Sequence, residues 1–496
     1  MPRSDYAVST GEPKLSTGAP GRPVSAGPGP VARRPTSPTN RTGRGLDREI
    51  ARLAVPAFLA LVAEPLFLLG DAAVVGHLGT RELAGLGIAG TVIQTVVGLC
   101  IFLAYGTTAG VARQLGAGQR RGALTQGIDG LWLAVAMGVP VTVVTAVLAG
   151  PLVGLFGAGD DVNDPATTYL RIAALGITPL LLVLATTGVL RGLQDTRTPL
   201  TVAILGNLAN LALNILLVYG AGPVPRLGIA GSALGSVIAQ TAMAVALVAV
   251  VVRAARREQA TLRPHAAGVR AAARAGVPLL VRTLTLRASL LVTTYAVVLA
   301  AGATATSDEA VPIATHQLAM TLWGFLAFVL DAIAIAAQAL TGRHLGAGDV
   351  PATRAVTTRM VQWGVASGTV TGILLAASSP WLGALFTPDG AVQGALVPVL
   401  LVAALAQPAA GVVFVLDGVL IGAGDGRYLA WAGLVVLCGY APVVLLTSAL
   451  GAGLAWLWVL FAVLFMGGRL LTLLHRAHGD RWLVTGGTLP TGGRAR

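Results

Sequence analysis

Lysine occurs once in this chain, at position 14, cysteine twice, and charged residues of any kind at only 11% of 496 positions. The lone lysine is followed by Leu15, so there is no Gly-Lys-Ser/Thr phosphate loop and no ATP hydrolysis by that route. Cys100 and Cys438 both lie inside apolar stretches and offer neither a disulfide framework nor metal-ligand spacing. Soluble proteins carry roughly 25% charged residues. A chain with less than half that share cannot cover a globule of this size with a water-facing surface. A soluble enzyme, a disordered protein and a secreted disulfide scaffold are therefore excluded. Aromatics, at 5%, say little about what a cavity would bind.

What is present is apolar surface, 55% of the residues. Residues 1–45 are rich in Pro, Gly, Ser and Thr and lack any apolar run, which predicts a disordered tail and not a signal peptide. Twelve apolar stretches follow, at 50–78, 84–112, 127–149, 166–190, 199–220, 229–252, 272–301, 312–341, 360–379, 392–420, 427–450 and 452–474. Each is long enough to cross a ~30 Å hydrocarbon core as a helix. The runs are continuous, without the alternation of a membrane barrel, so the expected fold is an all-α polytopic membrane protein.

The net charge of +13 would suggest nucleic acid on a soluble chain. Its distribution says otherwise. With the N-terminus inside, one side receives the nine basic residues up to Arg52, then Arg113, Arg120, Arg121, Arg191, Arg197 and the cluster Arg253–Arg274. The same side takes Arg343, Arg354, Arg359, Arg427, Arg469, Arg476, Arg481, Arg494 and Arg496. The opposite side has only Arg81 and Arg226, with Arg171 near a membrane border, and instead carries Asp160, Asp161, Asp164, Asp308, Glu309 and Asp389. This is the positive-inside pattern of a multi-pass protein with both termini cytoplasmic, and it excludes nucleic acid as partner.

Three short signatures recur at one offset. Arg113-Gln-Leu-Gly-Ala-Gly118 returns as Arg343-His-Leu-Gly-Ala-Gly348, and Gly192-x-x-Asp195-x-Arg197 as Gly422-x-x-Asp425-x-Arg427, each 230 residues on. Leu155-Phe156 returns as Leu385-Phe386 at the same interval. One match is expected by chance in Gly- and Ala-rich sequence; three at one spacing indicate a duplication. The chain therefore reads as an N-lobe (46–252, spans 1–6), a basic cytoplasmic linker (253–270), a C-lobe (271–476, spans 7–12) and a C-terminal cytoplasmic tail (477–496). Six spans per half is an even number, so the lobes share one orientation about a pseudo-two-fold axis along the membrane normal, enclosing a central cavity.

Without ATP, such a protein draws on an ion gradient and needs ionisable groups inside the membrane. The candidates are Glu64, Asp71, Asp129, Arg282, Arg287, Asp331 and Asp417. An ionised carboxylate at a helix centre costs ~3 kcal/mol. Protonating an ordinary carboxyl of pKa ~3.9 at pH 7 costs about 4 kcal/mol. The near balance suits a proton relay. Glu64 and Asp71 are two helical turns apart on one face of span 1, with Pro65 between them. Arg282 and Arg287 can pair with Asp331 or Asp417 as structural ion pairs. Asn207, Asn210 and Asn214 load span 5 with amides that need a polar cavity or neighbour. Gly85-x-Gly87-x-x-Gly90 fits a dinucleotide pattern, but no strand precedes it and close helix packing explains it.

Glu64-Pro65-Leu66 followed by Gly70-Asp71-Ala72-Ala73-Val74-Val75-Gly76-His77-Leu78-Gly79-Thr80 resembles the first span of the multidrug and toxic compound extrusion (MATE) family, in its DinF-like branch. Leu190-Arg191-Gly192-Leu193-Gln194-Asp195-Thr196-Arg197-Thr198-Pro199 resembles that family's connection between spans 4 and 5. Asp417-Gly418 with Ile421-Gly422-Ala423-Gly424-Asp425 resembles the equivalent place in the second half, and the similarity covers about 46–475. The resemblance implies a secondary antiporter that exports organic, often cationic, compounds in exchange for protons or sodium ions, with no other cofactor and no enzymatic activity. It implies cation coupling at Asp71, with Asn210, Asn214 and Tyr169 beside it and Glu64 near by; a sodium site at Asp71 remains open. Ser236 stands near a usual span-6 threonine, and Asp331 and Asp417 are candidates for the substrate cavity. Many relatives have Asp where this chain has Asn214, which favours protons over sodium here.

The expected setting is a bacterial cytoplasmic membrane, the expected partners small organic substrates and the bilayer, and the expected state a monomer. Two alternatives keep the spans and change the role: a flippase for a lipid-linked precursor, and a membrane receptor or scaffold without transport.

Overall fold

The structure is a computed structural model and describes residues 43–303 and 310–489. Expectations for residues 1–42, Asp308, Glu309 and 490–496, and for the Glu64 side chain, lie outside the described residues. Among the described residues, twelve helices are long and apolar enough to cross a membrane: α1 (Arg44–Gly76), α2 (Thr80–Gly116), α3 (Arg120–Val147), α4 (Asp160–Gly192), α5 (Arg197–Tyr219) and α6 (Ile229–Arg257) in the first half. The second half has α7 (Ala266–Gly302), α8 (Ala310–Gly346), α9 (Val350–Phe386), α10 (Gly390–Ala423), α11 (Gly426–Ala449) and α12 (Leu454–His478). Among the described residues there is no β-strand. The apolar stretches and the helices coincide, but several helices run well past them. α9, for example, extends ten residues before its stretch at 360–379, because hydropathy marks only the part of a helix that needs lipid.

The helices are not uniform. α1 runs unbroken through Pro56 and Pro65. α2 is interrupted by a turn at Cys100–Ile101, α4 by a 3₁₀ turn at Ala174–Gly176, and α12 by a π-helical stretch at Phe461–Met466.

Within the first half α2 packs on α4 and α5 on α6; within the second, α8 packs on α10 and α9 on α10. The duplication is visible at atomic scale. A Cβ placed at Gly192 would crowd the Thr108 carbonyl oxygen, and one at Gly422 would overlap that of Gln338. Both glycines and both carbonyls are 230 residues apart, so the α2–α4 and α8–α10 crossings are the same contact made twice, with glycine required for the backbones to touch. These are the two six-helix lobes related by a pseudo-two-fold axis along the membrane normal.

The lobes meet chiefly through the Phe102–Gly116 half of α2, which packs on α8. There the repeated motif packs against itself. A Cβ at Gly116 would overlap the Arg343 carbonyl oxygen, and a Cβ at Gly346 would overlap that of Arg113. The start of α1 joins the same end of the molecule. Asp47 accepts from Arg359 Nε and Nη2, each at 2.7 Å, and from Trp363 Nε1 at 2.8 Å. The opposite half of α2, Thr80–Leu99, has little contact with the second lobe. The lobes are thus closed at the end that holds residues 44–52 and the segment after α12.

One correction concerns that end. Read from the sequence as a loop charge, Arg113 is helical and fully buried. The first residues after α12, read as a tail, pack onto the protein, with Trp482 only 2% exposed.

Candidate functional site

The helices of the first lobe converge on Asp71, which is 4% exposed. Its Oδ1 accepts hydrogen bonds from Asn214 Nδ2 at 2.9 Å and Ser232 Oγ at 2.5 Å, and its Oδ2 accepts from the Tyr169 hydroxyl at 3.2 Å. The second hydrogen of the Asn214 amide goes to Asn210 Oδ1 at 2.8 Å, and Asn210 Nδ2 donates to Ser236 Oγ at 3.1 Å. A continuous chain therefore runs from Ser236 through Asn210 and Asn214 to Asp71. Three helices, α1, α5 and α6, supply it, and α4 adds Tyr169.

Local sequence explains the convergence. Asn210 and Asn214 are one turn apart on α5 and face the same neighbour. α6 offers Gly231-x-x-x-Gly235 beside Ser232-x-x-x-Ser236, a small-residue stripe that admits α5 closely and hydroxyls that meet it. Asn207, the third amide, faces elsewhere and donates to the Ala63 carbonyl of α1 at 3.1 Å. Buried amides cost free energy unless paired, and all three find an acceptor.

Asp71, Tyr169 and Ser236 also line a cavity of about 270 Å3, with Gln94, Gln240 and Thr91 as further polar walls and Phe67, Leu68 and Leu86 among the apolar ones. Asp71 is the only carboxylate among the described residues that line it. An ionisable group inside a lobe, hydrogen-bonded on both oxygens and open to a cavity, can gain and lose a proton where bound molecules sense the change.

The second lobe differs. Asp417 is 5% exposed and its Oδ2 faces two guanidinium groups, Arg282 and Arg469, the latter at 3.3 Å. The expected pairing of Arg282 with Asp417 is present, and Arg469 joins it. Asp331 interacts electrostatically with Arg282 and with Arg191 of the first lobe, and the Arg282 guanidinium carbon lies 5.9 Å from the centre of the Tyr105 ring. Arg287 is exposed and takes no part in that pair. Arg191 and Arg469 correct the sequence reading: both look like loop charges, yet both belong to this network inside the bundle. Neither Asp331 nor Asp417 lines the first-lobe cavity. Asp129 lies apart, accepting from the His265 backbone N–H at 3.2 Å.

The structure thus gathers Asp71, Tyr169, Asn210, Asn214 and Ser236 and separates them from Asp331 and Asp417. Sequence reasoning misses Ser232. Its hydroxyl gives the shortest bond to Asp71, and the available signal is its place one turn before Ser236 on the glycine-striped face of α6.

Known proteins agree with this architecture. The MatE family model matches residues 56–216 and again 286–450, two copies that begin 230 residues apart. Protein DETOXIFICATION 44, chloroplastic, of Arabidopsis thaliana is 31% identical over 439 residues, covering 85% of this chain and 80% of its own. DNA damage-inducible protein F of Escherichia coli is 27% identical, covering 87% of this chain and 92% of its own. Among solved structures, the bent form of the Vibrio cholerae MATE transporter VcmN superposes with a TM-score of 0.77 at 20% identity, covering 89% of this chain and 98% of that one. The chain is a multi-pass membrane transporter, not an enzyme, and it belongs to the multidrug and toxic compound extrusion (MATE) family.

Proposed function

We propose that this chain is an antiporter that exports small organic, often cationic, compounds in exchange for protons, working as a monomer by alternating access in a bacterial cytoplasmic membrane with both termini inside. The observation that carries the reading is Asp71, held by three donors at the wall of the first-lobe cavity.

The donor set supports protons over sodium as the coupling ion. A sodium ion needs lone pairs from several sides, and the Asn214 amide turns an N–H, not its oxygen, toward Asp71. The amide is committed: both its hydrogens are already given, one to Asp71 and one to Asn210. Protonation of Asp71 changes this arrangement directly. A neutral carboxyl carries an O–H of its own and cannot keep accepting from every donor. Ser232 and Tyr169 can turn and become acceptors; the Asn214 amide nitrogen cannot. Protonation of Asp71 therefore removes the charge that strengthens the Asn214 bond and turns the Ser232 or Tyr169 hydroxyl, loosening α1 from α5 and altering the cavity wall.

In this cycle Asp71 takes a proton while the cavity faces outside, and the cavity releases its cargo. With the cavity facing the cytoplasm, Asp71 loses the proton and its negative charge again attracts a cationic compound. The test is counter-transport of a fluorescent cationic dye in proteoliposomes, with pH and sodium gradients imposed separately. Dye movement driven by the pH gradient alone is the expected result. Movement driven only by sodium overturns the choice of ion, and movement under neither gradient overturns the antiport itself.

A further inference from the structure

Arg113 and Arg343 occupy the same place in the two halves, and each reaches into the other. Arg343 Nη1, from the second lobe, donates to Glu49 Oε1 at 2.9 Å and to Gln194 Oε1 at 2.7 Å, both in the first. Arg113, from the first lobe and fully buried, makes three hydrogen bonds, all to main-chain carbonyls beyond α8. Nη1 donates to Ala423 at 3.1 Å, Nε to Gly486 at 3.1 Å and Nη2 to Val484 at 2.6 Å.

The two clasps differ in one respect, and the difference is informative. Ala423 is the counterpart of Leu193, next to Gln194, so the 423 and 194 contacts correspond. The counterpart of Glu49 is Leu279, which has no acceptor to offer. In its place stands the segment after α12, which supplies two carbonyls. That segment is anchored on its own lobe. Asp480 pairs with Arg354, the Trp482 indole N–H donates to the Ala477 carbonyl at 3.2 Å, and the Gly486 N–H donates to the Leu345 carbonyl at 3.1 Å. On the other side Gly487 lies against Ala117 of the first lobe, a Cβ there falling 3.2 Å from that of Ala117.

We propose that residues 482–489 are an interlobe strap: a segment tethered to the second lobe and gripped by Arg113 of the first, which holds this end of the transporter closed and must leave Arg113 each time the end opens. Arg113 is the positioning residue of this device. A buried guanidinium is costly unless its donors are satisfied. All three of its acceptors belong to the half that moves away, so the bonds are lost together and water must replace them. The closed state is thereby favoured until the cavity's own chemistry outweighs the clasp. Shortening the segment weakens closure without touching Asp71 or the cavity.

The inference rests on alternating access, and its test uses a readout that needs neither cargo nor a gradient. In a Cys100→Ala, Cys438→Ala background, spin labels at Gln119→Cys and Ala347→Cys, exposed positions in opposite lobes at this end, report the separation by pulsed electron resonance. A chain ending at Leu483 is expected to raise the ratio of long to short distances tenfold or more over the full chain. Arg113→Gln, with the segment intact, is expected to do the same, and Arg113→Lys to fall between. Arg81→Ala, which removes only an exposed ion pair to Asp161 remote from the strap, is expected to leave the distribution as in the full chain. If both the shortened chain and Arg113→Gln keep the full chain's distribution while melting as it does, the strap is overturned. An equal shift in Arg81→Ala overturns the part given to Arg113. A failure of dye exchange leaves this result standing, and a failure here leaves proton coupling untouched.

Discussion

Gly235 stands directly behind Asn214: a Cβ at position 235 would overlap the Asn214 Oδ1. The missing side chain on α6 is therefore what lets the α5 amide sit against Asp71. Gly235→Ala forces Asn214 aside while leaving every hydrogen-bonding group present. Dye exchange in proteoliposomes is expected to fall more than tenfold, approaching the loss in Asn214→Leu. Undiminished exchange would show that the Asn214–Asp71 bond has no part in transport.

The donors around Asp71 are unequal, and their removal should rank accordingly. A hydrogen bond to a charged group contributes about 1.5–3 kcal/mol. Ser232 donates at 2.5 Å and Tyr169 at 3.2 Å. Ser232→Ala should slow exchange by roughly tenfold or more, and Tyr169→Phe, which keeps the ring that lines the cavity, by less. Initial rates at one pH decide the order; a larger loss in Tyr169→Phe contradicts it.

Asp417 balances two largely enclosed arginines, so its removal is a stability experiment. Asp417→Ala leaves Arg282 and Arg469 facing each other and should cost about 3–5 kcal/mol. The double variant Asp417→Ala, Arg282→Leu removes one of the two charges and should recover part of that loss. Thermal melting of the detergent-solubilised protein reads both. Melting unchanged by Asp417→Ala would mean the three groups do not form one network in the membrane.

Gly116 and Gly346 make the same close approach from opposite lobes. Alanine at either would place a methyl group against a backbone carbonyl that has no room to move, so the closed end cannot form as it stands. Both variants should widen the distance between labels at Gln119 and Ala347, and to a similar extent because the contact is symmetric. A change confined to one of the two would contradict the duplication as the basis of closure.

The sequence makes some of this legible and hides the rest for physical reasons. Continuous apolar runs force helices, and the single offset of 230 between three motifs points to two lobes, because three matches at one spacing are not expected by chance. Asp71 stands out because carboxylates inside apolar stretches are so few. Ser232 does not, because a hydroxyl in a membrane helix ordinarily bonds the carbonyl four residues back, as Thr91, Thr95 and Thr125 do here. Arg113 and Arg191 are misplaced by the sequence because they stand near helix ends, where hydropathy cannot separate a charge in water from one enclosed by neighbouring helices; Arg469 lies within α12, inside its apolar stretch. The segment after α12 hides for a similar reason: its contacts are made by backbone carbonyls, which every residue has. Only Trp482 marks it, an indole in a short polar stretch.

The central claim is that the charge on Asp71 couples cation and cargo. The direct measurement is Asp71→Asn in proteoliposomes carrying a cationic dye, with an imposed pH gradient and with the fold checked by melting temperature. Asparagine keeps the size of the side chain and removes its proton. The account predicts an intact fold, retained dye binding or passive equilibration, and no uphill dye movement at any pH gradient. Uphill movement at the rate of the unaltered chain would contradict it.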